Sequence, residues 1–189
     1  LKSNHLWFFK YADSNSNNRP EWSGTDSGWD TSPRWDDGPV EAVDLASWLY
    51  LDARMLKLMA ERLDLAADAA DWTARAEAMK SRIQNDFWNE QDGLFYDIDP
   101  ATSEHRKLKT PATFLPLFVG AATQAQAKAV AAHLSDENSF ATPFPLPTVS
   151  PDHPEYDPTD YWRGPVWIVT NALAIWGLER YGLFTEAFH

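Results

Sequence analysis

An all-α fold with helices in two layers is what the sequence predicts, on three observations. Several long stretches repeat apolar residues at spacings of three and four, the mark of amphipathic helices. One further stretch, Val166 to Leu178, is apolar nearly all round, as in a helix buried on several sides. Sustained strand-like alternation is absent. Amphipathic helices packed around an apolar inner one make two concentric layers. A chain of 189 residues buries one sizeable core, so a single domain is expected.

In chain order, residues 1 to 43 read as loop with short ordered pieces. Ala12 to Asn18 is polar and turn-prone, and Pro20, Pro33 and Pro39 keep long helices out. The first helix runs from about Asp44 to Leu63 on a stripe of Leu45, Leu49, Ala53, Leu56, Ala60 and Leu63. Lys57, Glu61 and Arg62 fall opposite, and Asp44 suits the cap. A second helix runs from about Ala67 to Phe87 on Trp72, Ala76, Met79, Ile83 and Phe87. The short link makes these two antiparallel neighbours. Gln91-Asp92-Gly93 is a turn, Leu94 to Ile98 a short strand, and Thr110 to Gly120 a shorter buried helix. A third clear helix runs from about Gln124 to Leu134, with Ala127, Val130 and Leu134 inward. Residues 135 to 160 form a loop with six prolines, and a loop that long in a compact domain is usually functional. The last helix starts at Pro165, a favoured first position, and ends near Tyr181, where Gly182 stops it.

Composition narrows the function. Hydrophobic residues make up 44%, as in a globular protein. No apolar run reaches the roughly 20 residues that cross a bilayer. Lys and Arg number 16 against 28 Asp and Glu, a formal charge of −12. That balance argues against nucleic acid and against an anionic membrane surface as partners. The lack of cysteine excludes a disulfide framework and leaves the compartment open, with the cytoplasm favoured. Ten Trp, six Tyr and ten Phe suit a carbohydrate partner, whose apolar ring faces stack on aromatic faces. The plainer reading, that the rings fill a core, stands beside it. The chain begins at Leu1 without an initiator Met and stops at His189 soon after a strong helix, so a fragment of a larger domain is expected.

Two segments concentrate chemistry. Thr25 to Asp37 packs carboxylates, Trp29, Trp35 and Arg34 into one loop. Glycoside hydrolysis needs a protonated carboxyl beside the leaving oxygen and a second carboxylate opposite. Apolar walls raise a carboxyl pKa by disfavouring its charged form, and Asp30, between Trp29 and Trp35, suits that task. Arg34 is expected to pin a neighbouring carboxylate or a substrate hydroxyl. The competing reading is an acidic turn whose aspartates satisfy backbone groups. The second segment, Asp160 to Trp167, enters the last helix. Trp162 and Trp167 are expected to flank a sugar, Arg163 to bond hydroxyls or a carboxylate, and Asn171 to lie one turn further along. A helix start braced by aromatic packing explains the same residues. A weaker third signal, Asp13, Asn15 and Asn17, alternates oxygen ligands as calcium loops do, but Asn18 stands at the usual glycine and no Glu follows at the twelfth place. The histidines show no metal-ligand spacing.

The run Asp26-Ser27-Gly28-Trp29-Asp30, with Ser32-Pro33-Arg34-Trp35-Asp36, resembles the acid-bearing motif of inverting glycosidases in the trehalase and processing-glucosidase clan, glycoside hydrolase families 37 and 63. That motif reads Glu-Ser-Gly, an aromatic or apolar residue, then the catalytic Asp; here Asp26 replaces the Glu. Val43-Asp44-Leu45 with Leu49-Tyr50 resembles the family's Val-Asp-Leu-Asn helix start, with Ala46 in place of the Asn. Phe114 to Phe118, Leu146 to Ser150 and Tyr161 to Trp167 are similar to the bacterial family 63 branch, which includes mannosylglycerate and glucosylglycerate hydrolases.

The resemblance implies part of an (α/α)6 toroid with its active site at the inner-ring mouth, inversion at the anomeric carbon, and no required cofactor. It implies Asp30 as general acid. Trp29, Trp35, Tyr161, Trp162, Gly164 and Trp167 would shape the sugar pocket, and Arg34, Asp36 and Arg163 would bind polar groups. The family's general base is a Glu farther on, so it lies outside these 189 residues, together with the rest of the domain; Glu186 comes too early. The expected activity is cleavage of an α-glucosidic or α-mannosidic bond in a small glycoside or disaccharide. Two rivals remain: a non-catalytic carbohydrate-binding or structural remnant, and a sugar isomerase or epimerase. The latter would need His at the pocket, and none adjoins Trp29 or Trp162.

Overall fold

A helical hairpin forms the frame of the computed structural model, which describes residues 1–188. Helix α3 (Val43–Arg62) and helix α4 (Ala66–Asn85) are each 20 residues long. Leu45, Leu49, Ala53, Leu56 and Ala60 of α3 face Trp72, Ala76, Met79 and Ile83 of α4, all buried. The expected stripe is therefore the core seam, except at Leu63, which is 67% exposed. Leu63 has left the helix: it is the C-cap, and Asp64 takes φ 55° to turn the chain. Asp44 does not cap α3. The N-cap is Ala42; the Asp44 carboxylate binds Arg34 while also accepting the Leu45 N–H at 3.0 Å, and Asp97 accepts the Val43 N–H at 3.0 Å.

The first residues are a helix, not the loop expected. Helix α1 (Lys2–Tyr11) docks on α3 and α4 through His5, which reaches Asp52 at 2.9 Å and meets the Trp72 ring edge-on at 4.9 Å. Its one buried side chain is a histidine, so apolar periodicity does not reveal it.

Short strands brace the entrance to α3. Strands β1 (Glu21–Trp22), β2 (Val40–Glu41), β5 (Asp97–Ile98) and β6 (His105–Arg106) form an antiparallel sheet in the order β1-β2-β5-β6. Trp22 pairs with Val40, Glu41 with Ile98, and Ile98 with His105. The hairpin of β3 (Trp88–Asn89) and β4 (Leu94–Phe95) turns at Gly93, φ 67°. The single strand expected over Leu94 to Ile98 is thus two, divided between two sheets.

The chain then crosses the core. A 3₁₀ turn, Pro111–Phe114, leads into helix α5 (Leu115–Val119), almost wholly buried as expected. Thr123 and Gln126 form a capping box for helix α6 (Gln124–Ala132). After the proline-rich loop come helix α7 (Ile168–Arg180) and helix α8 (Phe184–Phe188). Gly177 lets α7 lie against α5 so closely that a Cβ there would stand 2.9 Å from the Phe118 nitrogen.

Helix α7 departs from expectation twice. It begins at Ile168, after an extended Trp167, and Pro165 stands outside it: the Pro165 carbonyl accepts the Thr148 N–H at 3.1 Å. It also buries one face only, through Thr170, Ala174, Gly177 and Leu178. Ile168 is 88% and Trp176 55% exposed, since no described residue covers that side. Among the described residues no helix is long and apolar enough to cross a membrane.

Candidate active site

The acid-bearing loop is built from very short pieces. Helix α2 (Gly24–Ser27) is one turn, opened by a Ser23–Asp26 capping box and closed by Gly28 at φ 78°. A left-handed residue there favours glycine. The chain then turns through Trp29 and Asp30 into a 3₁₀ turn, Pro33–Trp35. The Trp29 carbonyl accepts twice, from the Ser32 N–H at 3.0 Å and from the Trp35 indole at 2.8 Å. Gly24 backs this turn: a Cβ on it would stand 2.6 Å from the Asp30 carbonyl oxygen and 2.9 Å from the Trp35 ring. The Asp30 side chain is exposed, and no described residue hydrogen-bonds its carboxyl.

Arg34, expected near the substrate, is buried. Its guanidinium donates to both oxygens of Asp44 (2.8 and 2.7 Å) and to both of Asp97 (2.7 and 2.9 Å). Burial alone would pull the Arg34 pKa down, but the two carboxylates outweigh it and push it up. These bonds leave Arg34 pinning carboxylates, the first of its two expected tasks, and turn it away from any substrate hydroxyl. Its flat faces are used as well, with Cζ 4.9 Å from the Trp29 ring and 4.5 Å from the Trp35 ring.

The second segment stacks onto the first. Trp29 and Trp162 lie parallel at 5.0 Å, and Trp162 and Trp167 at 4.6 Å. Tyr161 meets both Trp162 and Trp167 edge-on. Rings at 4.6 Å leave no room for a sugar between them, so Trp162 and Trp167 do not flank one. With Trp29 on its other face, Trp162 has both faces covered. The segments are tied further by the Trp162 N–H to the Thr31 hydroxyl, 3.4 Å, and by a two-pronged ion pair of Arg163 with Asp36, 2.6 and 3.0 Å. The carboxylate expected for Arg163 is therefore supplied by the protein itself. Gly164 makes the turn possible, because a Cβ there would stand 2.4 Å from the Asp157 carbonyl oxygen. Asn171 bonds the Pro145 carbonyl at 3.1 Å, tying α7 to the proline-rich loop.

Next to Gly28 and Trp29 opens a cleft of about 260 Å³, walled by Trp22, Trp29, Trp48, Trp162 and Leu115 and lined also by Asp44; the Asp30 side chain is not part of its lining. The indole N–H groups of Trp22 and Trp162 are buried and unpartnered among the described residues. Trp22 and Trp48 were not expected here. Trp22 stands close to the acid motif in sequence, which is its only signal; Trp48 is one of many apolar residues on α3.

The Asp13 to Asn18 loop spends its oxygens on itself. Both Asp13 oxygens accept backbone N–H groups, from Asn17 and Asn18, and the Asn15 and Asn17 carbonyls accept from Asn17 and Arg19. Their amide groups donate to buried Glu41, which also pairs with Arg19. The arrangement secures a loop and leaves no set of free ligands for calcium. Of the five histidines His189 lies outside the described residues, and among the rest no group of three or more His, Asp or Glu could hold a metal.

A family model described as the mannosylglycerate hydrolase MGH1-like glycoside hydrolase domain matches residues 1–189. The chain is 34% identical over 147 residues to a mannosylglycerate hydrolase of Thermus thermophilus, covering 76% of this chain and 34% of that protein. It is 31% identical over 174 residues to a periplasmic trehalase of Citrobacter koseri, covering 85% and 29%. The chain thus spans about a third of these relatives. Its fold matches the crystal structure of the family 63 mannosylglycerate hydrolase from Thermus thermophilus with a TM-score of 0.84 at 24% identity, over 97% of this chain and 55% of that one. A neutral trehalase from Saccharomyces cerevisiae matches at 0.70 and 23% identity, over 84% and 32%. The helices described above are accordingly part of an (α/α)6 toroid, and the chain belongs to the MGH1-like glycoside hydrolase domain family, in the clan that family 63 hydrolases share with trehalases.

Proposed function

We propose that the protein hydrolyses an α-glucosidic or α-mannosidic bond in a small glycoside or disaccharide, with inversion, and that Asp30 is its general acid. The Asp30 carboxyl gives its proton to the glycosidic oxygen as the bond to the anomeric carbon breaks, the electron pair leaving with that oxygen. A water attacks the anomeric carbon from the opposite face and loses its proton to a second carboxylate. Room for that water calls for a separation of about 6.5–9.5 Å between the two carboxyls. In this reading the base is a Glu outside these 189 residues. It is carried, with the facing wall of the pocket, by the rest of the same catalytic domain. No cofactor is needed, because proton transfers alone balance the reaction.

The observation that carries the reading is the union of the two motif segments. Thr31, next to Asp30, accepts the Trp162 N–H, and Trp29, on its other side, stacks on Trp162. The proposed acid directly follows Trp29, one of the indole rings that wall the cleft, and this nearness supports the reading although its own side chain is exposed. One observation favours the rival, a carbohydrate-binding remnant, for residues 1–189 alone. The carboxylate that lines this cleft, Asp44, is tied to Arg34 and is not free to act as a base.

The relatives' names direct the assay to mannosylglycerate and trehalose. The whole protein should release its sugar with inverted configuration, seen by NMR in the first minutes. Asp30→Asn should lower kcat by about 10²–10⁴, the usual contribution of general acid catalysis, with binding retained. Full activity in that variant, or binding without hydrolysis by the parent, would remove Asp30 from the role.

A further inference from the structure

Asp30 has no hydrogen-bond partner for its carboxyl among the described residues, so what aims it must act through the backbone. Its preceding peptide is unusually well held. The Trp29 carbonyl takes two N–H groups, one from Trp35, and the Trp29 ring is held by both the Arg34 guanidinium at 4.9 Å and Trp162 at 5.0 Å. Arg34 also lies over the ring of Trp35, 4.5 Å from its centroid.

Arg34 is in turn fixed to the frame. Asp44 belongs to the first turn of α3, and Asp97 belongs to β5 while also accepting the Val43 N–H that opens α3. Four of the guanidinium's N–H groups are committed to these two carboxylates, so the plane of the guanidinium is set by elements remote in sequence. Two carboxylates on one buried cation are more than charge balance requires. They are what is needed to hold a planar group from two sides, which a single ion pair would leave free to swing.

We propose that Arg34 is the positioning residue of Asp30. Gripped by Asp44 and Asp97, it sets the planes of Trp29 and Trp35 and thereby the peptide from which the acid projects. The proposal rests on the reading of Asp30 as the general acid. A displacement near 1 Å of a catalytic group costs about 10²-fold in rate.

The test compares two leaving groups in the whole protein. Mannosylglycerate and trehalose release alkoxide-like oxygens that need the acid's proton; α-mannosyl fluoride and α-glucosyl fluoride release fluoride, which does not. Asp97→Asn keeps the shape but loosens the grip on Arg34. Trp35→Phe keeps the ring but removes its N–H to the Trp29 carbonyl. Each should lose about tenfold to a hundredfold in kcat on the natural-type substrate; Asp97→Asn should hydrolyse the fluoride at near the parent rate, and Trp35→Phe should lose clearly less on the fluoride than on the natural-type substrate. The near-UV circular dichroism of the stacked tryptophans should weaken in Asp97→Asn. A loss shared equally by both substrates in both variants would make Arg34 merely structural and overturn the proposal, as would an unchanged rate on both. Asp30→Asn separates the two claims. If it fails to spare the fluoride, the acid assignment falls by itself; if it does spare the fluoride and the other two variants do not, only the positioning falls.

Discussion

At the scale of single residues, close approach counts for as much as charge. Gly24 has ordinary backbone angles, so its requirement is space: the Asp30 carbonyl and the Trp35 ring occupy the place of its Cβ. Gly24→Ala must push the acid loop outward, and overpacking of this kind costs about 1–3 kcal/mol. Thermal unfolding should show that loss, and kcat should fall with it, because the displaced atom belongs to Asp30 itself. A sequence reading leaves Arg34 between a neighbouring carboxylate and a substrate hydroxyl. An arginine beside two tryptophans looks the same on paper whether its partners are sugar hydroxyls or Asp44 and Asp97. Nothing in the spacing of residues 34, 44 and 97 announces that they meet. Likewise Trp162 and Trp167, five positions apart, give no sign that they stack on each other.

At the scale of elements, the hairpin of α3 and α4 was legible because its seam is apolar and periodic. Helix α1 was not, because its anchor is His5, a residue that hydrophobic patterns pass over. That anchor predicts a response to pH. Burial lowers the His5 pKa below its ordinary 6.5 and outweighs the opposing pull of Asp52. The unfolded chain therefore takes up the proton first as pH falls. The stabilising contact is complete above about pH 6.5 and weakens below it, until the folded form is protonated too. Hydrogen exchange in residues 2 to 11, corrected for intrinsic rates, should quicken between about pH 7.5 and about pH 5.5. Residues of α6, which do not touch His5, should be unaffected over the same range. The start of α7 shows a related limit. Pro165 is a good first residue for a helix, but its carbonyl is taken by a long-range hydrogen bond from Thr148, and that bond is invisible to local rules.

At the scale of the whole molecule, the described residues leave apolar faces uncovered. Met55, Leu58 and Met59 of α3 and Ile168, Val169 and Trp176 of α7 are exposed. Faces of this kind mark surfaces that pack against something. Residues 1–189 expressed alone should therefore self-associate in sedimentation velocity, despite a formal charge of −12. Leu58→Glu and Trp176→Glu together should reduce that association. In the whole protein, where further helices of the domain are proposed to cover these faces, the same pair should lower the unfolding temperature. Stability unaltered there would argue against that cover. Composition, the two long amphipathic helices, and the ordered run of motifs from Asp26 to Trp167 were enough to determine the family and the all-α class. Such features are local, and each is readable within a dozen or so residues. Tertiary structure alone decided what Arg34 binds, that the tryptophans stack in a column with no sugar between them, and that α7 is open on one side. Those outcomes depend on contacts between residues from five to more than a hundred positions apart, where spatial nearness is set by the packed chain and leaves no trace in spacing.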